Sequence, residues 1–253
     1  MDFRVRRGIV PLNVMPMRIV HPAPSLVDQV VEAITDEIVS GVLTSGSRLI
    51  QDDLARAYGV SRQPVQQALI LLRGCGLVQS APGRGLIVAP LDPAFVRDLY
   101  EMRAVLEGLA ARLAAERASE RAAHEGPAYI AAGHEAVKSG LVSRKIESDI
   151  AFHRFLSGLS GNTLIDETMA PHWPYLKRVM SDVLQKEQSM SRTVWDEHED
   201  ILAAIIEGRS AEAERLSRDH IARAAAVFIH HLEAQQGDRP KQRRTLAGRK
   251  TTL

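Results

Sequence analysis

The chain has 253 residues, 45% of them hydrophobic but only 4% aromatic, and its 32 Lys/Arg against 31 Asp/Glu leave a formal net charge of +1. That length favours two domains, the abundance of Ala, Leu, Val, Glu and Arg favours helical packing, and the single cysteine, Cys75, excludes an intramolecular disulfide. No run of about 18 apolar residues exists to span a bilayer, and Asp2, Asn13 and two prolines interrupt any signal-peptide core, so a soluble cytoplasmic protein with no membrane partner is expected.

The near-neutral total hides basic ends. Residues 1–24 carry four Arg against one acid and residues 236–253 six Lys/Arg against one, whereas 25–90 carry five against six and 91–235 carry 17 against 23. Any attraction to phosphates would come from local arginines and the tails.

In chain order, Pro11, Pro16, Pro22 and Pro24 predict a disordered leader over 1–24. Ser25 can cap a helix whose Val27, Val30, Val31, Ile34 and Ile38 form one apolar face before Gly41. A second helix is predicted over 51–58, a sharp turn at Gly59, and a third helix from about 62 to 75. In the third, Val65, Ala68, Leu69 and Leu72 recur at helical spacing, which leaves Arg62, Gln63, Gln66 and Gln67 on or near the outer side. Ser61 is placed to cap this helix and Pro64 falls in its first turn, where a missing N–H is tolerated. Two short helices joined in this way offer hydrogen-bonding groups to a DNA major groove. Leu77 to Val88 reads as two strands around Ala81-Pro82-Gly83-Arg84-Gly85, completing a winged helix-turn-helix over 25–90.

Pro90 and Pro93 mark a linker over 89–93. Helical apolar spacing follows over about 94–122, 127–140, 144–159, 162–170, 174–188, 191–207 and 211–235, with breaks at Gly126-Pro127, Gly140, Gly161, Pro171–Pro174 and Gly208. The second domain, 91–235, is therefore expected to be an all-α bundle, and 236–253 a basic disordered tail. The fold class is mainly α.

Asp149 and His153 are four apart, which puts both on one helix face where they can chelate one ion. His198 and His220 fall on the inward faces of two later helices. Taken alone, a histidine on such a face is more often a satisfied core residue. His172 and Trp173 in the proline-rich break fit a cavity mouth or ordinary loop packing, His230 and His231 the solvated end of the last helix, and Cys75 a buried helix end.

The segments GSRLIQDDLARAYGVSRQPVQQALILLRGCGLV and PGRGLIV, followed by MRAVLEGLAARLAA, DIAFHRFLSGLSGN, HEDILAAIIEGR and Asp219-His220-Ile221, resemble the GntR family of bacterial transcription regulators. The likeness is to the FadR branch with an FCD effector-binding domain, and it spans nearly everything from Leu26 to Glu233. It implies a homodimer that reads a palindromic double-stranded operator, more often as repressor, with Arg48, Ser61, Arg62, Gln63, Pro64, Gln66, Arg84 and Gly85 toward DNA. Gln66 stands where many relatives have Arg, and Asp52 where some have a basic residue; Gln suits adenine where Arg suits guanine, so the operator cannot simply be copied from relatives, the alternative being that Gln66 makes no base contact. The resemblance further implies that Asp149, His153, His198 and His220 hold a divalent ion such as zinc, nickel or manganese. It also implies that Arg103 grips a small organic acid, the alternative for Arg103 being a surface position or an i,i+4 pair with Glu107. Two rival functions use the same residues: a regulator for which the metal itself is the signal, and a metalloenzyme, for which the sequence offers no poised base or nucleophile.

Overall fold

The computed structural model describes residues 24–83, 85–186 and 191–237. The expectations for the leader before Pro24, for Arg84 and for the tail beyond Gly237 lie outside the described residues.

Helix α1 (Leu26–Val39) starts at a capping box, Ser25 Oγ accepting from Asp28 N at 3.1 Å while the Asp28 carboxylate accepts from Ser25 N at 3.1 Å. Strand β1 (Arg48–Leu49) precedes α2 (Gln51–Tyr58), which ends at Gly59 in the left-handed conformation, φ +66°, the turn that only glycine adopts cheaply. Helix α3 (Arg62–Gly74) buries Val65, Ala68, Leu69 and Leu72 as its spacing requires. Strands β2 (Val78–Ser80) and β3 (Leu86–Val88) form the wing, and β1 joins them in an antiparallel sheet of order β1-β3-β2 with Arg48 opposite Ile87. Two residues are too few to show alternation, which is why β1 was invisible in the sequence.

The second unit comprises α4 (Pro93–Arg117), α5 (Ser119–Ser139), α6 (Val142–Leu159), α7 (Thr163–Met169), a 3₁₀ turn (Ala170–His172), α8 (Trp173–Leu184), α9 (Ser191–Ile206) and α10 (Ser210–Gly237). Helices α4 and α10 run antiparallel along each other, joined by Arg97–Glu233, the Tyr100–Phe228 edge contact and Arg112–Glu214. The sequence placed a break at Gly126-Pro127, but α5 passes straight through and the chain bends at Ala118 instead. Pro127 and Ala123 both face solvent, so the Ala123 carbonyl that loses its helical partner can be hydrated. The opposite face, Ala122, Gly126, Ile130, Gly133 and Ala136, is buried and holds the helix together.

Gly133 matters most there, because a Cβ at this position would lie 2.2 Å from the Trp195 ring, and Trp195 packs edge-on against His198. Gly133→Ala is expected to lower unfolding free energy by about 1–3 kcal/mol, as overpacking does. Urea denaturation of wild type and variant measures it.

The two units share one apolar core. Tyr175 of α8 accepts a hydrogen bond from the Asp92 backbone N–H at 3.2 Å and lies with Phe95 against Gly76, while Ser181 Oγ donates to the Val39 carbonyl at the end of α1 at 3.2 Å. The linker is thus clasped by α8. No described helix is long and apolar enough to cross a membrane.

Candidate metal centre and nucleic-acid interface

Asp149 and His153 project from the same face of α6, His198 from α9 and His220 from α10, and all four are buried. One ligand atom from each lies within 4.8 Å of the others. His198 Nε2 is 3.1 Å from His220 Nε2 and 3.7 Å from Asp149 Oδ1, and His153 Nε2 is 3.7 Å from Asp149 Oδ2. Ligands about 2.1 Å from a tetrahedral ion are about 3.4 Å apart, so these separations suit one cation at the centre.

Two carboxylates aim the rings. Glu107 Oε2 lies 2.6 Å from His153 Nδ1, and Glu197 Oε2 lies 2.7 Å from His220 Nδ1, which leaves both Nε2 atoms for the cluster. His198 is clamped between Phe152, stacked at 4.4 Å, and Trp195, edge-on at 4.7 Å. Burial, reinforced by neighbouring His220, His153 and Arg103, holds His198 well below the usual imidazole range, and burial likewise lowers His220 against the pull of Glu197. Both are therefore neutral, the form that binds metal.

Arg103 makes the i,i+4 pair with Glu107 that the sequence offered as the alternative, but inside the bundle and not at the surface. It is buried, its Nε pairs with Glu107 Oε1 at 2.5 Å, and its guanidinium lies 5.3 Å from the Tyr100 ring centroid and 5.4 Å from that of Trp173. Its Nη2 has no hydrogen-bond partner among the described residues. Burial alone would raise Glu107, but Arg103 and His153 outweigh it and hold the carboxyl down at about 2. Arg103, Asp149, His153 and His220, but not His198, line a cavity of about 300 Å³ whose walls include Met180, Leu184, Val227 and Phe228. Trp173 braces Arg103 and does not line this cavity, as neither does His172. His231 is not at a solvated end: its ring is largely covered and Nε2 lies 3.3 Å from Asp182. Cys75 is buried as expected.

On the first unit, Arg48, Arg62 and Gly85 surround one shallow cleft together with Asp52. Ser61, Gln63 and Gln66 are exposed on and beside the start of α3. Ser61 holds the N-cap position with extended backbone, but its side chain makes no capping bond. Pro64 is a correction: it is buried, so it fixes the first turn of α3 and presents no side chain to a ligand. Arg62 Nε is 2.9 Å from Asp52 Oδ1.

Sequence reasoning treated Glu107 only as a rival partner for Arg103 and passed over Glu197 and Lys145. Glu197 adjoins His198 in sequence but serves His220, 23 residues on, and no spacing rule links those two.

The profile of the family "Bacterial regulatory proteins, gntR family" matches residues 26–88, and that of the "FCD domain" matches 98–223. An HTH-type transcriptional regulator in an unstable DNA locus of Streptomyces ambofaciens is 33% identical over 198 residues, 76% of this chain and 80% of that one. The HTH-type transcriptional regulator LutR of Bacillus subtilis is 29% identical over 217 residues, 78% and 98% of the two chains. The Glc operon transcriptional activator of Escherichia coli is 27% identical over 231 residues, 81% and 89%. Among solved structures, E. coli McbR/YncC shares the fold with a TM-score of 0.70 at 20% identity, covering 82% of this chain and 98% of its own.

Proposed function

The chain belongs to the GntR family, as a transcription regulator with a helix-turn-helix DNA-binding domain and an FCD effector domain, and from that premise we propose a dimer, probing a palindromic operator, whose DNA binding answers to a metal-assisted organic acid. The observation that carries this reading is the buried convergence, beside one partly open cavity, of the Asp149/His153/His198/His220 cluster with the Nη2 of Arg103, which has no partner among the described residues. Asp149 and the three histidines would hold the ion, which supplies a Lewis-acid point for a carboxylate when bound. Arg103 would grip the same acid from the side, braced by Trp173 and Glu107.

Helix α8 is the means of transmission. It places Met180 and Leu184 in the cavity wall, Trp173 against Arg103, Tyr175 on the linker and Ser181 on the end of α1. An acid that shifts α8 shifts the seat of the DNA-binding unit, and two recognition helices must enter grooves about one helical turn apart to bind together. Repression is the expected sign.

Electrophoretic titration of DNA from the protein's own promoter region, with the metal-loaded full chain at moderate salt, tests the reading. Binding well above that to unrelated DNA is expected. Equal binding to both would defeat it. If chelation alone releases the DNA with no acid present, the metal is the signal and the acid is not.

Asp52 sharpens the expectation at the interface. Side chains at this pair are 69% and 54% exposed, so the link contributes little to folding. It does hold a carboxylate beside the arginine that would meet the DNA. Asp52→Asn should leave the melting temperature unchanged, tighten DNA binding severalfold and steepen its dependence on salt, measured by fluorescence anisotropy across a salt series. Unchanged affinity and slope would place Asp52 away from the DNA.

A further inference from the structure

Lys145 sits one turn before Asp149 and two before His153, so the three share the face of α6 that looks into the cavity. It is 8% exposed, lines the cavity, and has no hydrogen bond or ion pair among the described residues. With its stem buried and no partner on its ammonium among the described residues, Lys145 offers the cavity a positive charge that an incoming anion can meet.

The other acids lining or adjoining the cavity are already engaged. Glu107 is held by Arg103 and His153, Glu197 by His220 and Arg223, and Asp149 lies among the histidines. The missing partner of Lys145 is therefore not supplied by these carboxylates. We propose that Lys145 is a second anion-binding group of the effector cavity and that the effector is a short dicarboxylate, one acid group at the Arg103–histidine end and the other at Lys145.

Charge and length agree. A divalent ion on Asp149 leaves one positive charge, Lys145 adds another, and the Arg103–Glu107 and Arg223–Glu197 pairs cancel, so a dianion neutralises the site. Lys145 and Asp149 are separated by about 6 Å along the helix axis, a span that a chain of a few carbons bridges. Met180, Leu184, Val227 and Phe228 offer apolar walls to its methylene groups.

The inference rests on the acid-binding reading of this cavity, and calorimetry separates the two. The Zn(II)-loaded full chain is titrated with butanoate against butanedioate and with pentanoate against pentanedioate. Each diacid should bind at least about tenfold tighter than its monoacid partner, the worth of one charge-assisted contact. Lys145→Met should abolish that preference while leaving monoacid affinity and melting temperature at or above wild type, and Lys145→Arg should retain it. Equal binding of monoacid and diacid to wild type, or a preference that survives in Lys145→Met, overturns the role of Lys145 and leaves the acid site standing. If no carboxylate binds wild type although zinc does, the acid-binding reading itself fails.

Discussion

Arg103→Ala should lower unfolding free energy by about 3–5 kcal/mol, the effect of stripping one partner from a buried ion pair. The variant leaves Glu107 buried with the His153 ring beside it, and it removes a guanidinium packed beside Tyr100 and Trp173. Chemical denaturation measures the loss, and adding Glu107→Gln to Arg103→Ala should recover much of it by removing the stranded charge. A loss under about 1 kcal/mol would mean that Glu107 is satisfied without Arg103. The acid limb of stability should change too. Glu107 is depressed to about 2, so its contribution is present above the ordinary carboxylate value and fades as pH falls toward that figure; without Arg103 the fading should begin at higher pH.

His198→Ala should lower metal affinity far more than either outer carboxylate does. The ring is fully buried and, among the described residues, supplies the only cluster ligand from α9 and has no hydrogen-bond partner at its other nitrogen. Glu197→Gln, which loosens His220 without removing it, should weaken metal binding by about 10–100-fold, and His198→Ala by more than that. Competition of each variant against a chromogenic zinc chelator gives the affinities. Equal affinities in wild type and His198→Ala would mean that the four residues are an ordinary polar core. Both variants test the metal reading without reference to DNA.

Much of this was written in local spacing. The apolar periods of α1 and α3, the glycine turn at Gly59 and the Asp149/His153 pair all follow from a helix repeating every 3.6 residues. What spacing could not reveal depends on contacts between distant segments. Pro127 reads as a breaker because its neighbours in sequence say nothing of the small-residue face that packs behind it. Lys145 reads as a solvated charge because Lys usually is one, and its burial comes from the distant helices that share the cavity wall with α6, among them α4, α8, α9 and α10. Glu107 and Glu197 become ring-orienting groups by the same route, across 46 and 23 residues respectively.

Under the proposed reading, the same packing would connect the two ends of the molecule. Trp173, Tyr175, Met180 and Ser181 lie within about two turns of α8, yet they touch Arg103, the linker, the cavity and α1. A rigid helix bearing all four contacts needs no relay of loops. Coupling of this kind is reciprocal, because an acid that changes DNA affinity must have its own affinity changed by DNA to the same factor.

That reciprocity supplies the most direct test. The dicarboxylate that binds tightest is titrated by calorimetry into metal-loaded protein, free and saturated with its promoter DNA, with Tyr175→Phe as a variant that loses the hydroxyl contact to the linker. Acid affinity should differ by about fivefold or more between free and DNA-bound protein, and the difference should shrink in Tyr175→Phe. Identical acid affinity in the two states would contradict a ligand-controlled regulator.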